Sequence, residues 1–193
     1  MRRILRLLAC GAVVLSLAAC APTGRAVGDT QDSMPSVAHD STHKMDITVG
    51  FVGSTDAAAD KKAIDALADD TLNVYYASLD TSGDSETADK IAATAQQGVT
   101  DFVDRAVKIV IISGIDVTDA NRDGWNQALT NAREAGIPVV LLNPKHAPED
   151  ELLYAAILNT DDAASAKSVS IADAVITITR DEPHDRTIAV ATE

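Results

Sequence analysis

The sequence predicts an α/β fold, a doubly wound parallel sheet flanked by helices. Three observations carry that prediction. Short, apolar, β-branched runs recur at 47–52, 107–112, 137–142 and 187–191. Longer segments between them place apolar residues at helical spacing. Strand and helix patterns therefore alternate, and such alternation builds parallel sheets with crossover helices on both faces.

Residues 107–142 show the pattern most clearly. The run 107–112 is too short for a helix and fits a strand covered on both faces. Residues 113–122 crowd Ser, Gly, Asp, Thr and Asn together and read as loop. Asp123 is the expected N-cap of the helix that follows. Trp125, Ala128, Leu129, Ala132 and Ala135 recur as one buried stripe. Gly136 stands where a helix C-terminus wants a positive φ. The run 137–142 is a second strand, with Pro138 near its start, where a missing N–H is tolerated. This is a βαβ unit, so its strands are parallel and its crossover is expected to be right-handed.

The other elements follow in order. Residues 47–52 form the first strand, and a turn over 53–56 leads to a short helix reaching about residue 68 with Ile64 and Leu67 inward. Residues 73–79 form a second strand whose Tyr75-Tyr76 pair and polar side place it near the sheet edge. After a loop at 80–84, a long helix over about 85–105 carries Ala88, Ile91, Ala92, Ala95, Val99, Phe102 and Val103 on one stripe. A polar loop at 145–151 precedes a strand at 153–158. Asp162 is expected to cap a last helix reaching about residue 179, with a final strand at 187–191.

At 193 residues the chain is long enough to bury one good core. Its net charge is −13, and loss of the three leader arginines takes that to −16. A surface so acidic repels nucleic acid and anionic headgroups, which argues against a nucleic-acid partner. Arg2, Arg3 and Arg6 form a positive start, followed over 7–19 by a mostly apolar run. That run is shorter than the ~20 residues a bilayer span needs, so it reads as a secretory leader. It ends in Leu17-Ala18-Ala19-Cys20, which resembles the lipobox of bacterial lipoproteins. The resemblance implies a signal peptide over 1–19, acylation of Cys20 and a lipid anchor on the extracytoplasmic face of the cell membrane. Cys10 leaves with the leader, so Cys20 has no cysteine to pair with. Residues 20–45 have almost no large apolar side chain and read as a disordered tether. His39, Asp40 and His43 on that tether read as solvated, and no metal site is expected; His146 and His184 stand alone in sequence.

No dinucleotide fingerprint follows the first strand, because Gly50, Gly53 and Ser54 lack its spacing. No Walker, zinc or nucleophile-elbow motif occurs, so neither a cofactor nor an enzymatic activity is expected. Loops after parallel strands converge on one sheet edge, the usual ligand edge. Candidate ligand residues are therefore Ser54, Asp56, Asp80, Ser113, Asp116, Asn143 and Asp161.

Phe102-Val103 leading into 107–112, then Asp123-Gly124-Trp125, then the run from Ala132 through Gly136, Ile137 and Pro138 to Leu142, resemble the sugar-binding lipoproteins of ABC importers of the ribose- and galactofuranose-binding kind. The resemblance implies a type I periplasmic-binding-protein-like lobe over 46–160, a small sugar as ligand and an ABC permease as partner. Asn159-Thr160-Asp161-Asp162 looks like the family's first crossing between lobes, which makes 161–193 the crossover helix and strand of an incomplete second lobe. The family's acidic residue and arginine after the fourth strand are here Asn143 and Pro144, and Pro144 cannot replace a guanidinium. None of the six aromatic residues falls in a strand-end loop. Two functions follow: a lipid-anchored carbohydrate-binding protein, degenerate or completed by a partner that supplies the missing lobe, and an interaction lipoprotein using one lobe as a platform. On this reading the strand at 187–191 lacks neighbours in its own lobe, with three outcomes open: the helix folds back on the first lobe, two chains pair their orphan segments, or a separate protein supplies the missing strands. The segment is expected to favour association and to be dispensable to the first lobe.

Cys20→Ser is expected to release the protein into the soluble fraction or stall leader processing. Unchanged membrane attachment of that variant, measured by fractionation, would refute the lipoprotein reading.

Overall fold

A computed structural model describes residues 24–29, 43–79, 88–161 and 167–192. The leader, Cys20, Asp80 and Asp162 lie outside the described residues. Seven strands form one sheet: β1 (Thr48–Val52), β2 (Asn73–Ala77), β3 (Ile109–Ser113), β4 (Val139–Leu142), β5 (Ala156–Asn159), β6 (Val169–Ser170) and β7 (Thr187–Ala191). Their order is β2-β1-β3-β4-β5-β7-β6, and every pairing is parallel. The helices are α1 (Ala57–Asp69), α2 (Ala88–Asp104), α3 (Arg122–Glu134) and α4 (Ile171–Thr179). The doubly wound parallel sheet expected from the sequence is the fold.

Side-chain alternation explains why the central strands are apolar throughout. Val49, Phe51, Ile109, Ile111, Val140 and Leu142 face one core, with Ala63 and Leu67 of α1 and Ile171, Val175 and Ile178 of α4. Val52, Val110, Ile112, Val139 and Leu141 face the other, with Val99 and Phe102 of α2 and Trp125, Leu129 and Ala132 of α3. Period-two alternation sends neighbouring side chains to opposite faces, so a sheet covered on both sides needs both sets apolar. Trp125 is 2% exposed, as its place in the helical stripe requires. β2 is one edge strand, with Tyr75 and Tyr76 exposed, and β6 is the other.

Four local expectations are corrected. The cap of α3 is Asn121 and not Asp123; the Asn121 side chain spends its oxygen on the Thr118 N–H and donates its amide to the Asp116 carbonyl. The strand expected at 153–158 begins as a 3₁₀ turn over Glu151–Leu153, capped by the Asp150 carboxylate, and only Ala156–Asn159 pairs. α4 starts at Ile171, where the Ser170 hydroxyl accepts from the Asp173 N–H, and so well after Asp162. The tether reading fails at residues 24–29, which pack on the folded body: Ala26 is 1% exposed and the Asp29 side chain lies against Arg186 at 2.8 Å.

The largest difference concerns the last helix and strand. They do not begin a separate lobe. β7 pairs with β5 in the register Ile157↔Thr187, Leu158↔Ile188 and Asn159↔Ala189, and β6 pairs with the far side of β7. The sheet therefore runs unbroken past residue 160. α4 buries Ile171, Val175, Ile176 and Ile178 on the same face that α1 covers. The resemblance assigned this segment elsewhere; the backbone resolves it by extending the existing sheet, which pairs N–H and C=O groups an isolated strand would leave open.

Each of those four large side chains is worth ~1.5–3 kcal/mol of burial, so together they rival the ~5–15 kcal/mol net stability of a typical domain. Deletion of residues 162–193 is therefore expected to abolish cooperative unfolding. A truncated chain with a sharp denaturant transition would show that the β5–β7 pairing is dispensable.

Candidate functional site

The strand order reverses twice, and a reversal is where an open parallel sheet is expected to part at the C-terminal ends of its strands. The chain goes from β1 outward to β2, then returns across β1 to β3. It later reaches β6 and turns back to place β7 beside β5. A cleft lies at the first reversal, on the α2/α3 face. A second lies on the α1/α4 face and reaches the ends of β5 and β7.

The first cleft has a volume of about 140 Å³. That is comparable with the ~150 Å³ cavity that takes one benzene ring. Ile91, Ala92 and Ala95 of α2, Ile112 and Trp125 form its apolar wall, while Ser54, Ser113, Asp116, Thr118, Asn121 and Lys145 bring polar groups to it. The loops after β1 and β3 touch here: a Cβ added at Gly114 would lie 3.2 Å from the Ser54 Cβ. The indole Nε1 of Trp125 is buried and has no hydrogen-bond partner among the described residues. A donor in that condition favours a ligand acceptor or a water.

Ser54 is held by a residue the sequence reading missed. Asp60, on the first turns of α1, is fully buried. Its carboxylate accepts from the Ser54 N–H at 2.6 Å and the Ser54 hydroxyl at 3.0 Å, with the Tyr76 hydroxyl at 3.5 Å. Glycine at position 53 leaves room for this arrangement, since a Cβ there would sit 2.8 Å from the Tyr76 ring and 3.0 Å from the Asp60 carboxylate. An aspartate four residues into a helix signals only solvent exposure in sequence, so this one was invisible until α1 turned it inward.

The loops after β3 and β4 are stitched together. The Lys145 N–H donates to the Ile115 carbonyl at 2.8 Å and the Val117 N–H to the His146 carbonyl at 3.0 Å. His146 Nδ1 lies 2.7 Å from the Asp116 carboxylate, so neither of these residues stands alone. The pair is exposed and adds at most ~1 kcal/mol. Its consequence for the site is that Asp116 already has a partner.

The second cleft has a volume of about 600 Å³ and is lined by Asp56, Lys62, Ser113, Leu142, Asn143, Thr160 and Ala191, among others. Asn143 adopts φ +47, a conformation Asn tolerates better than most residues. Its amide donates to the Thr160 hydroxyl at 2.7 Å, and its oxygen accepts from the Thr160 N–H at 2.9 Å. Asn143 therefore ties the ends of β4 and β5 together. Asp56 caps α1, accepting from the Ala58 and Ala59 N–H groups.

The candidate residues thus divide between two faces. Ser54, Ser113 and Asp116 line the first cleft; Asp56, Ser113 and Asn143 line the second. Ser113, at the end of β3 and 9% exposed, reaches both. Asp161 is exposed and lines neither. Thr118, Asn121 and Lys145 belong to the first cleft and were not singled out from sequence. Among the described residues no group of three or more His, Cys, Asp or Glu is placed to hold a metal, and no helix is long and apolar enough to cross a membrane.

Asp60→Ala is expected to destabilise the fold by ~2–3 kcal/mol, the value of bonds to a charged acceptor whose donors are left unpaired. Denaturant unfolding checks it, and a loss under ~0.5 kcal/mol would remove Asp60 as the support of Ser54.

No family model matches the chain, and no curated protein matches it. Among solved structures, a galactofuranose-binding protein is similar at 16% identity and a TM-score of 0.46, over 74% of this chain and 56% of that one. A Mycobacterium smegmatis protein in complex with β-D-fucofuranose is similar at 16% identity and a TM-score of 0.46, over 75% and 55%. A pilus assembly-related protein from Burkholderia pseudomallei is similar at 17% identity and a TM-score of 0.46, over 75% of this chain and 97% of that one. The chain spans little more than half the length of the first two.

Proposed function

We propose that the protein is a lipid-anchored solute-binding protein of carbohydrate import, tethered through Cys20 and binding a small sugar at the first cleft. The observation that carries this reading is the cleft's position at the first reversal of strand order, between the Ser54 and Gly114 loops, where open α/β sheets bind their ligands. Its chemistry suits a small, partly apolar solute with hydroxyl groups. Ser54, Ser113 and Thr118 supply hydroxyls, Lys145 supplies a cation at the rim, and Ile91, Ala92 and Ile112 receive an apolar face. Motifs of the importer family over 102–142 support the same reading.

As lined by the described residues the cleft is small, and those residues neither surround a sugar nor exclude water from its hydrogen bonds. Affinity for the isolated chain is therefore expected near ~1 mM, about −4 kcal/mol, and a partner that closes the cleft would raise it. In the alternative reading the same edge is a platform for another protein and binds no sugar.

Titration of the Cys20→Ser chain with monosaccharides in furanose and pyranose forms, followed by amide chemical shifts, decides between them. Shifts are expected at Ser54, Thr55, Ser113, Gly114, Thr118 and Asn121. Shifts confined to other regions would sink the site, and silence with every sugar would leave the platform reading.

A further inference from the structure

Residues 24–29 lie outside every strand and helix, yet they are fastened to the body by the side chains of Arg133, His184 and Arg186. The Arg133 guanidinium donates to the Arg25 carbonyl at 2.9 Å. His184 Nε2 lies 2.9 Å from the Gly28 carbonyl oxygen. Arg186 pairs with Asp29 at 2.8 Å and donates its other terminal nitrogen to the Glu151 carbonyl at 2.6 Å, while its guanidinium carbon stands 4.5 Å from the Tyr154 ring centroid. The Asp29 side chain is only 6% exposed, which makes this pair stronger than a surface ion pair. Gly28, at φ +80, presses so close that an added Cβ would sit 2.9 Å from the Pro138 Cβ and 3.0 Å from Ile178.

All these partners belong to one edge of the sheet. Arg133 ends α3, Pro138 precedes β4, Ile178 is near the end of α4, and Arg186 precedes β7. In a doubly wound sheet, helix C-termini and strand N-termini share the edge opposite the ligand crevices. Residues 24–29 therefore run across the edge remote from both clefts.

We propose that this segment is an orienting strap: it fixes the acylated end of the chain at the strand N-terminal edge, so that the membrane lies on that side and both clefts open away from it. The proposal rests on the lipid-anchor reading. Cys20 precedes Gly24 by four residues, which span at most ~14 Å when fully extended. A five-residue strand alone separates the two edges by ~16 Å, before any loop is counted. The link is thus too short to carry the anchor round to the clefts while the strap is seated. A partner that takes solute from the clefts approaches from outside, and a bilayer-embedded permease reaches them only after the strap releases.

The test uses the full-length acylated protein in vesicles of phosphatidylethanolamine and phosphatidylglycerol carrying a headgroup energy-transfer acceptor. Acylation of Cys20 leaves an introduced cysteine as the single free thiol for a donor dye. Lys108→Cys labels the strand N-terminal edge and Asp119→Cys the cleft edge; both positions are exposed and neither lines a cleft. Transfer is expected to be severalfold greater from position 108. Asp29→Ala and, independently, Gly28→Val should unseat the strap and bring the two signals together, with the body's unfolding transition retained. Equal transfer from both positions in the parent protein, greater transfer from 119, or a difference that survives both strap variants each overturns the proposal. Failure to float with the vesicles at all overturns the lipid-anchor reading, and the orientation with it; floating with equal signals overturns the orientation alone.

Discussion

A parallel sheet needs cover on both faces, and that requirement decides most of what this chain does. Parallel strands cannot be joined by tight turns, so every step between neighbours carries a long connection across one face. α2 and α3 cover one side. α1 alone leaves the β4–β5 half of the other side bare, and α4 closes it with Ile171, Val175 and Ile178. The final fifth of the chain is structural for that reason. β7 supplies the pairing that keeps β5 from being an edge, and α4 supplies the lid over Val140, Leu142, Ala156 and Leu158.

The same winding creates the site. The first reversal of strand order parts the loops after β1 and β3 and gives the first cleft. The second cleft lies on the opposite face, between the start of α1 and the ends of β3, β4, β5 and β7. Between them the polar loop residues are mostly committed to one another. Asn143 holds Thr160, Asp116 meets His146, Asn121 ties Thr118 to Asp116, and Asp60 holds Ser54. Such reciprocal bonding keeps the rims rigid and reduces the cost of ordering them around a ligand. It also means that few groups remain free to contact one; Trp125, whose buried Nε1 has no partner among the described residues, stands in the wall of the first cleft.

At the opposite edge the logic is reversed. A stretch with almost no large apolar residue is held by polar bonds and one shielded ion pair rather than by a hydrophobic stripe. Arg186 does most of this, because its planar guanidinium can stack on Tyr154 while its nitrogens reach Asp29 and the Glu151 carbonyl together. Body and tether are thereby one mechanical unit at residues 24–29.

By itself the sequence determined the fold class, the βαβ unit over 107–142, the burial of Trp125 and the edge to which loop residues converge. These depend on local periodicity, and periodicity of 2 or 3.6 is written in consecutive residues. Gly136, at φ +71, likewise ends its helix as its position foretold. Only the tertiary structure decided where β7 pairs, because a strand's neighbours are set by which faces remain uncovered and not by its own residues. It alone separated the candidate residues between two clefts, since the connections after neighbouring strands leave toward opposite faces of one edge, α1 on one and α3 on the other. It alone turned Asp60 inward and seated residues 24–29, because a charged side chain is buried only when donors meet it: the β1–α1 turn brings Ser54 to Asp60, and the completed sheet brings Arg186 to Asp29.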